Sequence, residues 1–187
     1  MSSVEYEGIK KCCFTGYRPA KFPFSLSRED PEYKKFENAL VEEVLRLIDN
    51  GCHTFYSGMA MGFDIIAAEV VLMLKNAYSF SDIKLICVLP FSAQGESFTL
   101  FWKKRFYNTL ENSAQKIVLS QEYFPGCYQK RNIYMVDNSD CVLTWYDGKP
   151  GGTRNTLDYA LSKKRYVINT CEKIEDDFGV QTFFDVI

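Results

Sequence analysis

Residues 52–76 have the sequence CHTFYSGMAMGFDIIAAEVVLMLKN. The apolar run from Cys52 to Ser57 predicts a buried strand, and the segment from Phe63 to Asn76 predicts a helix. The residues between them, Gly58-Met-Ala-Met-Gly62, form a glycine-containing turn. A strand that leads through a short turn into a helix is the repeating unit of a parallel α/β sheet.

The same alternation of short apolar runs and helical segments continues along the chain. The predicted strands are Lys11–Thr15, Cys52–Ser57, Ile83–Leu89, Lys116–Leu119, Cys141–Trp145 and Tyr166–Asn169. The predicted helices are Pro31–Asn50, Phe63–Asn76, Phe98–Asn112, Cys127–Asn138 and Thr153–Lys164. The strands are continuously apolar, which is typical of a parallel sheet covered on both faces. We therefore predict one α/β domain over residues 1–187, with a doubly wound, mostly parallel sheet.

Charge and hydropathy exclude some classes of protein. The 22 Lys and Arg residues against 24 Asp and Glu give a formal net charge of -2, so any polyanion site must be local. The longest apolar stretch, Ile65 to Leu74, is interrupted by Glu69 and is about half of what a membrane span needs. Residues 1–7 do not resemble a signal peptide, so we expect a cytoplasmic protein without a membrane partner. The acidic segment 172–177 is expected to be a solvated face.

Cysteine and histidine content argues against metal chemistry. The chain has seven cysteines without a C-x-x-C pair, and most of them fall in or beside predicted strands, where a reduced cysteine behaves as a small hydrophobic residue. His53 is the only histidine, which leaves little basis for a histidine metal cluster or a catalytic triad. We predict no metal.

Ligands of an open parallel sheet bind outside the carboxyl ends of its strands. The first strand is followed there by Thr15-Gly16-Tyr17-Arg18. Gly16 allows backbone amides to approach a ligand, Thr15 offers a hydroxyl group, and Arg18 offers a planar guanidinium suited to phosphate or carboxylate. A plain glycine turn with a solvated arginine explains the same residues equally well.

The second loop holds Ser57, Gly58, Gly62 and Asp64. It is neither the dinucleotide-binding fingerprint nor a P-loop, which would carry a lysine. A carboxylate at a helix start stabilises the helix by about 0.3–1 kcal/mol and would repel a phosphate there. We therefore expect Asp64 to face ribose hydroxyls, a base edge or a water, and it is the only candidate catalytic residue.

The third loop gives the strongest anion signal. Gly151 and Gly152 directly precede Thr153, a residue suited to cap the helix that follows, so the first amides of that helix should be accessible to an anion. Lys149 and Arg154 would add positive charge. The alternative is a flexible loop with an ordinary helix cap.

A fourth contribution comes from the helix predicted at 127–138. Tyr128, Arg131 and Asn132 are spaced i, i+3 and i+4 and so share one helical face. An arginine there could reach a phosphate beside a stacking ring. A solvated helix face is an equally good explanation.

Together these motifs resemble the SLOG superfamily, the Rossmann-like group that contains YpsA-type proteins, DprA and the LOG phosphoribohydrolases. Length and motif order are most similar to the YpsA-like families, and residues 57–64 are also very similar to a DprA motif. The resemblance implies a three-layer Rossmann-like domain with a pocket for a nucleotide or an ADP-ribose-like derivative. For LOG enzymes it also implies N-glycosidic hydrolysis by a glutamate shortly after the glycine turn. Here the nearest acid after Thr153 is Asp158, which puts that reaction in doubt.

Three functions follow. The leading one is a nucleotide-binding sensor or regulator in stress or cell division, with phosphates on Gly151-Gly152-Thr153 and on Arg18 or Arg131, and ribose near Gly58, Gly62 and Asp64. The second is an enzyme that cleaves or transfers at a ribosyl or phosphoryl bond, with Asp64 as base or electrostatic stabiliser. The third is single-stranded nucleic-acid binding as in DprA, on the aromatic and basic segment 98–107. The possibility of a homo-oligomer stays open.

Overall fold

A computed structural model describes residues 6–78, 80 and 82–171, so the acidic segment 172–177 lies outside the described residues. Within the described residues, six strands form one sheet. The strands are β1 (Lys11–Gly16), β2 (Thr54–Ser57), β3 (Lys84–Leu89), β4 (Gln115–Val118), β5 (Cys141–Trp145) and β6 (Tyr166–Asn169). The α-helices are α1 (Pro31–Asp49), α2 (Phe63–Ala77), α3 (Leu100–Asn112), α4 (Cys127–Asp137) and α5 (Gly152–Ser162). A 3-10 turn, Pro19–Lys21, follows β1.

The strand order is β4-β3-β2-β1-β5-β6, and every neighbouring pair is parallel. The chain therefore moves outward from β1 to β4 and then returns to the other side of β1 for β5 and β6. Because such crossovers are right-handed, α1 to α3 cover one face and α4 and α5 cover the other. Packing of α1 on α2, α2 on α3, and α4 on α5 agrees with this. The predicted α/β class and doubly wound, Rossmann-like sheet are confirmed.

Element boundaries differ from the predictions by a few residues, for local reasons. The second strand begins at Thr54, because the amide of Cys52 still bonds to the Leu47 carbonyl at the end of α1. The third helix begins at Leu100, because residues 95–98 form a separate turn closed by the Phe98 amide. The fifth ends at Ser162, shortly before Lys164 adopts a positive φ of 56°.

The core lies on both faces of the central strands, where β2 and β5 are buried along their whole length. All seven cysteines are buried, as expected of small apolar side chains. Burial raises the pKa of the Cys12 and Cys141 thiols, which face each other across β1 and β5. No helix in the described part of the chain has the combination of length and apolar character that crossing a bilayer requires.

Close packing between the end of β1 and the start of α2 depends on Gly16. A Cβ atom at Gly16 would lie 2.3 Å from Cγ of Phe63, a ring in the fully buried core. The Phe63 amide also donates to the Tyr17 carbonyl at 3.0 Å. This bond holds the two backbone segments together, so Phe63 cannot move away freely from Gly16. The glycine therefore allows the first loop to pass directly over the second.

We expect Gly16→Ala to lower the free energy of unfolding by about 1–3 kcal/mol, because the added methyl group overpacks the site. Gly152→Ala is the matched control, since no heavy atom lies within 4 Å of its Cβ position, and should change stability by less than about 0.5 kcal/mol. Urea denaturation of both variants measures the difference. Equal stability of the two would contradict this packing argument.

Candidate functional site

The carboxyl ends of β1 and β5 lie side by side at the point where the strand order reverses. Thr15 pairs in register with Thr144, and Gly16 with Trp145. The Thr153 hydroxyl donates to the Gly16 carbonyl at 3.1 Å, which fastens the start of α5 to the end of β1. The first and third predicted loops therefore meet, with Thr15 buried in the strand.

The start of α5 is open to solvent. Gly151 occupies the N-cap position and no side chain caps the helix, because the Thr153 hydroxyl bonds to Gly16 instead. The sequence-based prediction that Thr153 caps this helix is therefore wrong, because the cap is Gly151 and Thr153 is the second residue of the helix. Gly152 is exposed, and its Cβ position has no heavy atom within 4 Å. The amino-terminal dipole and amides of α5 face this open space.

A cavity of about 290 Å³ lies between α4 and α5. Both helices contribute residues from their amino-terminal turns, so two positive dipole ends meet in one space. Asn132 lines it and donates to the Thr156 hydroxyl at 2.8 Å, which in turn donates to the Gly152 carbonyl at 2.9 Å. The lining residues are Gly126, Tyr128, Gln129, Asn132, Ile133, Gly152, Asn155, Thr156 and Tyr159.

Cations near the cavity differ in their availability. Lys149 pairs with Asp147 at 2.7 Å and Arg154 pairs with Asp158 at 2.7 Å, so carboxylates offset both charges. Arg18 is exposed, and its guanidinium lies 5.4 Å above the centre of the Tyr128 ring. Of the predicted arginines, Arg18 therefore presents its charge at the mouth of the cavity.

The second predicted loop is organised around a buried ion pair. The Arg131 guanidinium and the Asp64 carboxylate are 3.5 Å apart, and the two residues are 4% and 5% exposed. A Cβ atom on Gly58 would lie 1.5 Å from Nη1 of Arg131, so the guanidinium occupies the space that the glycine leaves. The Ser57 hydroxyl donates to the Asp64 carbonyl at 2.8 Å and accepts from the Met59 amide at 3.1 Å. These side chains contact one another, and none of them lines the cavity.

Gly62 has a positive φ of 94°, and a Cβ atom there would lie 2.4 Å from the Tyr17 carbonyl oxygen. Backbone conformation and internal packing both require glycine at this position. Gly16, Gly58 and Gly62 thus accommodate atoms of the protein itself. Among the predicted glycines, Gly152 is the one whose open side faces empty space.

Burial shapes the electrostatics of the ion pair. It raises the pKa of Asp64 to about 6, against the opposing charge of Arg131 and a hydrogen bond from the Ala60 amide. Burial also lowers the pKa of Arg131. A carboxyl group with such a pKa has the chemistry of a general base near neutral pH, but a base must reach its substrate. The position of Asp64 away from the cavity favours a structural role.

Several anchoring contacts were not predicted from the sequence. The Tyr17 hydroxyl donates to Asp147 at 2.5 Å and accepts from the Lys149 amide at 3.2 Å, while Lys21 donates to the Pro150 carbonyl at 2.9 Å. These bonds fix the loop between β5 and α5 over the first loop. The bonded residues are about 130 positions apart in sequence, so local sequence patterns do not predict these bonds. The one related signal in the sequence is that Tyr17 lies inside the first loop.

The aromatic segment considered for nucleic-acid binding is largely part of the fold. In α3, Trp102 and Phe106 are buried against the core, and Arg105 pairs with Glu69 of α2, its Nε lying 2.9 Å from Oε1. Phe101 and Tyr107 remain exposed. Packing between α2 and α3 therefore explains most of this pattern.

The strand order and the cavity at its reversal point define a Rossmann-like α/β domain. The chain belongs to the YspA SLOG family, whose sequence profile matches residues 12–174. It is 30% identical to the SPbeta prophage-derived protein YoqJ of Bacillus subtilis, over 82% of this chain and 95% of that protein. It is also 30% identical to a UPF0398 protein of Halalkalibacterium halodurans, over 84% of this chain and 83% of that protein. The resemblance to the SLOG superfamily is confirmed.

Two solved structures of DNA processing protein A share the fold. The Helicobacter pylori protein, described for its single-stranded DNA binding mode, has a TM-score of 0.54 and 22% identity over 85% of this chain. The Streptococcus pneumoniae protein has a TM-score of 0.56 and 18% identity over 90% of this chain. The present chain spans 64% and 54% of those two structures. At these identities the likeness concerns the fold.

The raised pKa of Asp64 predicts a stability that depends on pH. Between its ordinary value of 3.8 and about 6, Asp64 ionises in the unfolded chain but keeps its proton in the folded one. The folded state binds more protons there, so the free energy of unfolding falls as pH rises through this interval. We expect the stability of the wild type relative to Asp64→Asn to fall by about 2 kcal/mol between pH 4 and 7, because Asp64 of the unfolded chain is already partly ionised at pH 4.

Urea denaturation at several pH values tests this, with Asp147→Asn as the matched control. Burial opposes ionisation of Asp147, but the hydrogen bonds from Lys149 and Tyr17 outweigh it and lower the pKa of that carboxyl group. The wild type should therefore lose no stability relative to Asp147→Asn over the same interval. If the wild type instead gained stability relative to Asp64→Asn as the pH rises, ionised Asp64 would stabilise the fold and the prediction would be wrong.

Proposed function

We propose that this protein binds a nucleotide or a nucleotide derivative of the ADP-ribose kind between α4 and α5 and acts as a sensor or regulator. The observation that carries the proposal is the cavity of about 290 Å³ on which two helix amino termini converge. This volume is at the lower end of the range of roughly 300–1,000 Å³ for small-molecule sites. A nucleotide would fill it and extend toward the rim.

Electrostatics supports an anionic ligand. Each helix amino terminus carries the equivalent of about half a positive charge. Gly152 leaves room for a phosphate against the first amides of α5, and Arg18 adds a full charge at the mouth. Asn132 offers a polar group between the two helices that suits a sugar hydroxyl. We assign phosphate recognition to Gly151, Gly152, Thr153 and Arg18.

Binding without reaction is favoured over enzymatic activity. Asp64, the candidate catalytic residue, is buried against Arg131, and Asp158, the nearest acid after the glycine turn, pairs with Arg154. Prolonged incubation with NAD, ADP-ribose or AMP, followed by chromatography, should return these compounds unchanged. Product formation that is lost in Asp64→Ala with the fold intact would support the enzyme instead.

Single-stranded DNA is a weaker candidate ligand. The shared fold with the Helicobacter pylori protein favours it, whereas the burial of Trp102 and Phe106 and the net charge of -2 count against it. A mobility shift that weakens with salt would be the signature of such binding. We expect that the surface of α3 does not bind single-stranded DNA, so no mobility shift should be seen even at low salt.

Gly152→Asp tests the phosphate site directly. A carboxylate in the first turn is compatible with the helix dipole, so the fold should be retained, but it would repel a bound phosphate. We expect the affinity for AMP and ADP-ribose, measured by calorimetry, to fall at least about tenfold, which corresponds to about 1.4 kcal/mol.

Thr99→Asp is the matched control, because it adds the same charge at the start of α3 on the opposite face of the sheet, where no side chain caps the helix. Its affinity should equal that of the wild type. Nucleotide binding that is unchanged in Gly152→Asp would place the phosphate elsewhere and overturn the assignment.

A further inference from the structure

Three aromatic rings come together beside the cavity. Phe91 follows β3, Tyr123 lies between β4 and α4, and Tyr128 belongs to the first turn of α4. The ring centres of Phe91 and Tyr123 are 5.6 Å apart, those of Phe91 and Tyr128 are 5.9 Å apart, and those of Tyr123 and Tyr128 are 6.5 Å apart. We name Phe91, Tyr123 and Tyr128 the aromatic platform. Phosphate recognition as described above makes no use of Phe91 or Tyr123.

Tyr123 is exposed and yet held in position. It is 62% exposed, although its ring meets Phe91 edge to face at 85° and Tyr128 at 57°. The Ser92 hydroxyl donates to the Gln121 carbonyl at 2.5 Å, which ties the loop of Phe91 to the loop of Tyr123. An oriented ring that is still in water can bind a flat group with little further loss of side-chain entropy.

The aromatic platform and the cavity are continuous, because Tyr128 belongs to both. Arg18 lies over the same Tyr128 ring, so a cation borders the ring that the aromatic platform and the cavity share. A ligand that spans this surface would need an anionic group at one end and an aromatic group at the other. A nucleotide has that order of groups, with its phosphate and base at opposite ends of the sugar.

We infer that the aromatic platform is a stacking surface for the base of a mononucleotide whose phosphate lies at Gly152, an inference that rests on the proposed function. Tyr123 would offer the outer stacking face, while Phe91 and Tyr128 hold its ring in place. Stacking on an aromatic ring tolerates different bases, because every base has a π-face. The site should therefore bind AMP and CMP with similar affinities.

The test compares AMP with ribose 5-phosphate, which has the same phosphate and sugar but lacks the base. In Tyr123→Leu we expect the affinity for AMP to fall at least about fivefold, the lower limit for loss of one stacked base. The affinity for ribose 5-phosphate should not change. Tyr123→Phe keeps the ring and should bind AMP as the wild type does. Calorimetry with both compounds gives these values.

Tyr78→Leu is the matched control. Tyr78 is 58% exposed and stacks on Phe80 at 5.5 Å, but it follows the carboxyl end of α2, at the opposite edge of the sheet. This variant loses an equally exposed ring and should bind both compounds as the wild type does. An effect equal to that of Tyr123→Leu would overturn the inference.

The remaining outcomes separate this inference from the proposed function. If AMP and ribose 5-phosphate bind equally well, or Tyr123→Leu weakens both equally, the phosphate site stands and the stacking surface is wrong. If neither compound binds, the proposed function fails and the inference with it. If Tyr123→Leu weakens binding of a short oligothymidylate but not of AMP, the aromatic platform serves a single strand and the mononucleotide assignment is overturned.

Discussion

The parallel pairing of β1 with β5 is the constraint on which the other features of this molecule depend. It places the reversal of strand order at the centre of the sheet, so that α4 and α5 cover one face while α1 to α3 cover the other. Because both strands end at the same edge, Gly16 and Thr153 come within hydrogen-bonding distance. The cavity exists because the start of α5 is tied to β1 while its first turn stays uncovered.

The buried pair of Arg131 and Asp64 gives the neighbouring loop a different character. Two charges removed from water lose much of their hydration, and their attraction recovers only part of that loss. Such a pair fixes the positions of the segments it joins more reliably than it increases the free energy of unfolding. Here it positions the loop after β2 and connects that loop to α4, because the guanidinium fills the space above Gly58. The glycines of the second loop are thus explained by packing, whereas the glycine at the start of α5 is not.

Arg131 illustrates a limit of reasoning from helical periodicity. The spacing of Tyr128, Arg131 and Asn132 predicted one shared face, but a helical face subtends a wide angle. In the folded protein, Asn132 and Tyr128 line the cavity, while Arg131 is directed into the interior toward Asp64. The sequence contains no signal for that choice, because it depends on an acid 67 residues away that approaches only after the strands pair. Thr153 differs for a similar reason, since its hydroxyl bonds to Gly16 rather than capping its own helix.

Local sequence determined the elements of this protein and their order. Continuous apolar runs specify buried strands, helical spacing specifies the covering helices, and glycines mark the turns, since each of these signals acts over a few neighbouring residues. These signals also predicted which strand ends could carry a ligand. Tertiary structure alone decided which groups at those ends face each other and which face solvent. The Tyr17 bond to Asp147, the partner of Arg131 and the convergence of two helix termini all join residues far apart in the chain, so they exist only once the sheet has formed.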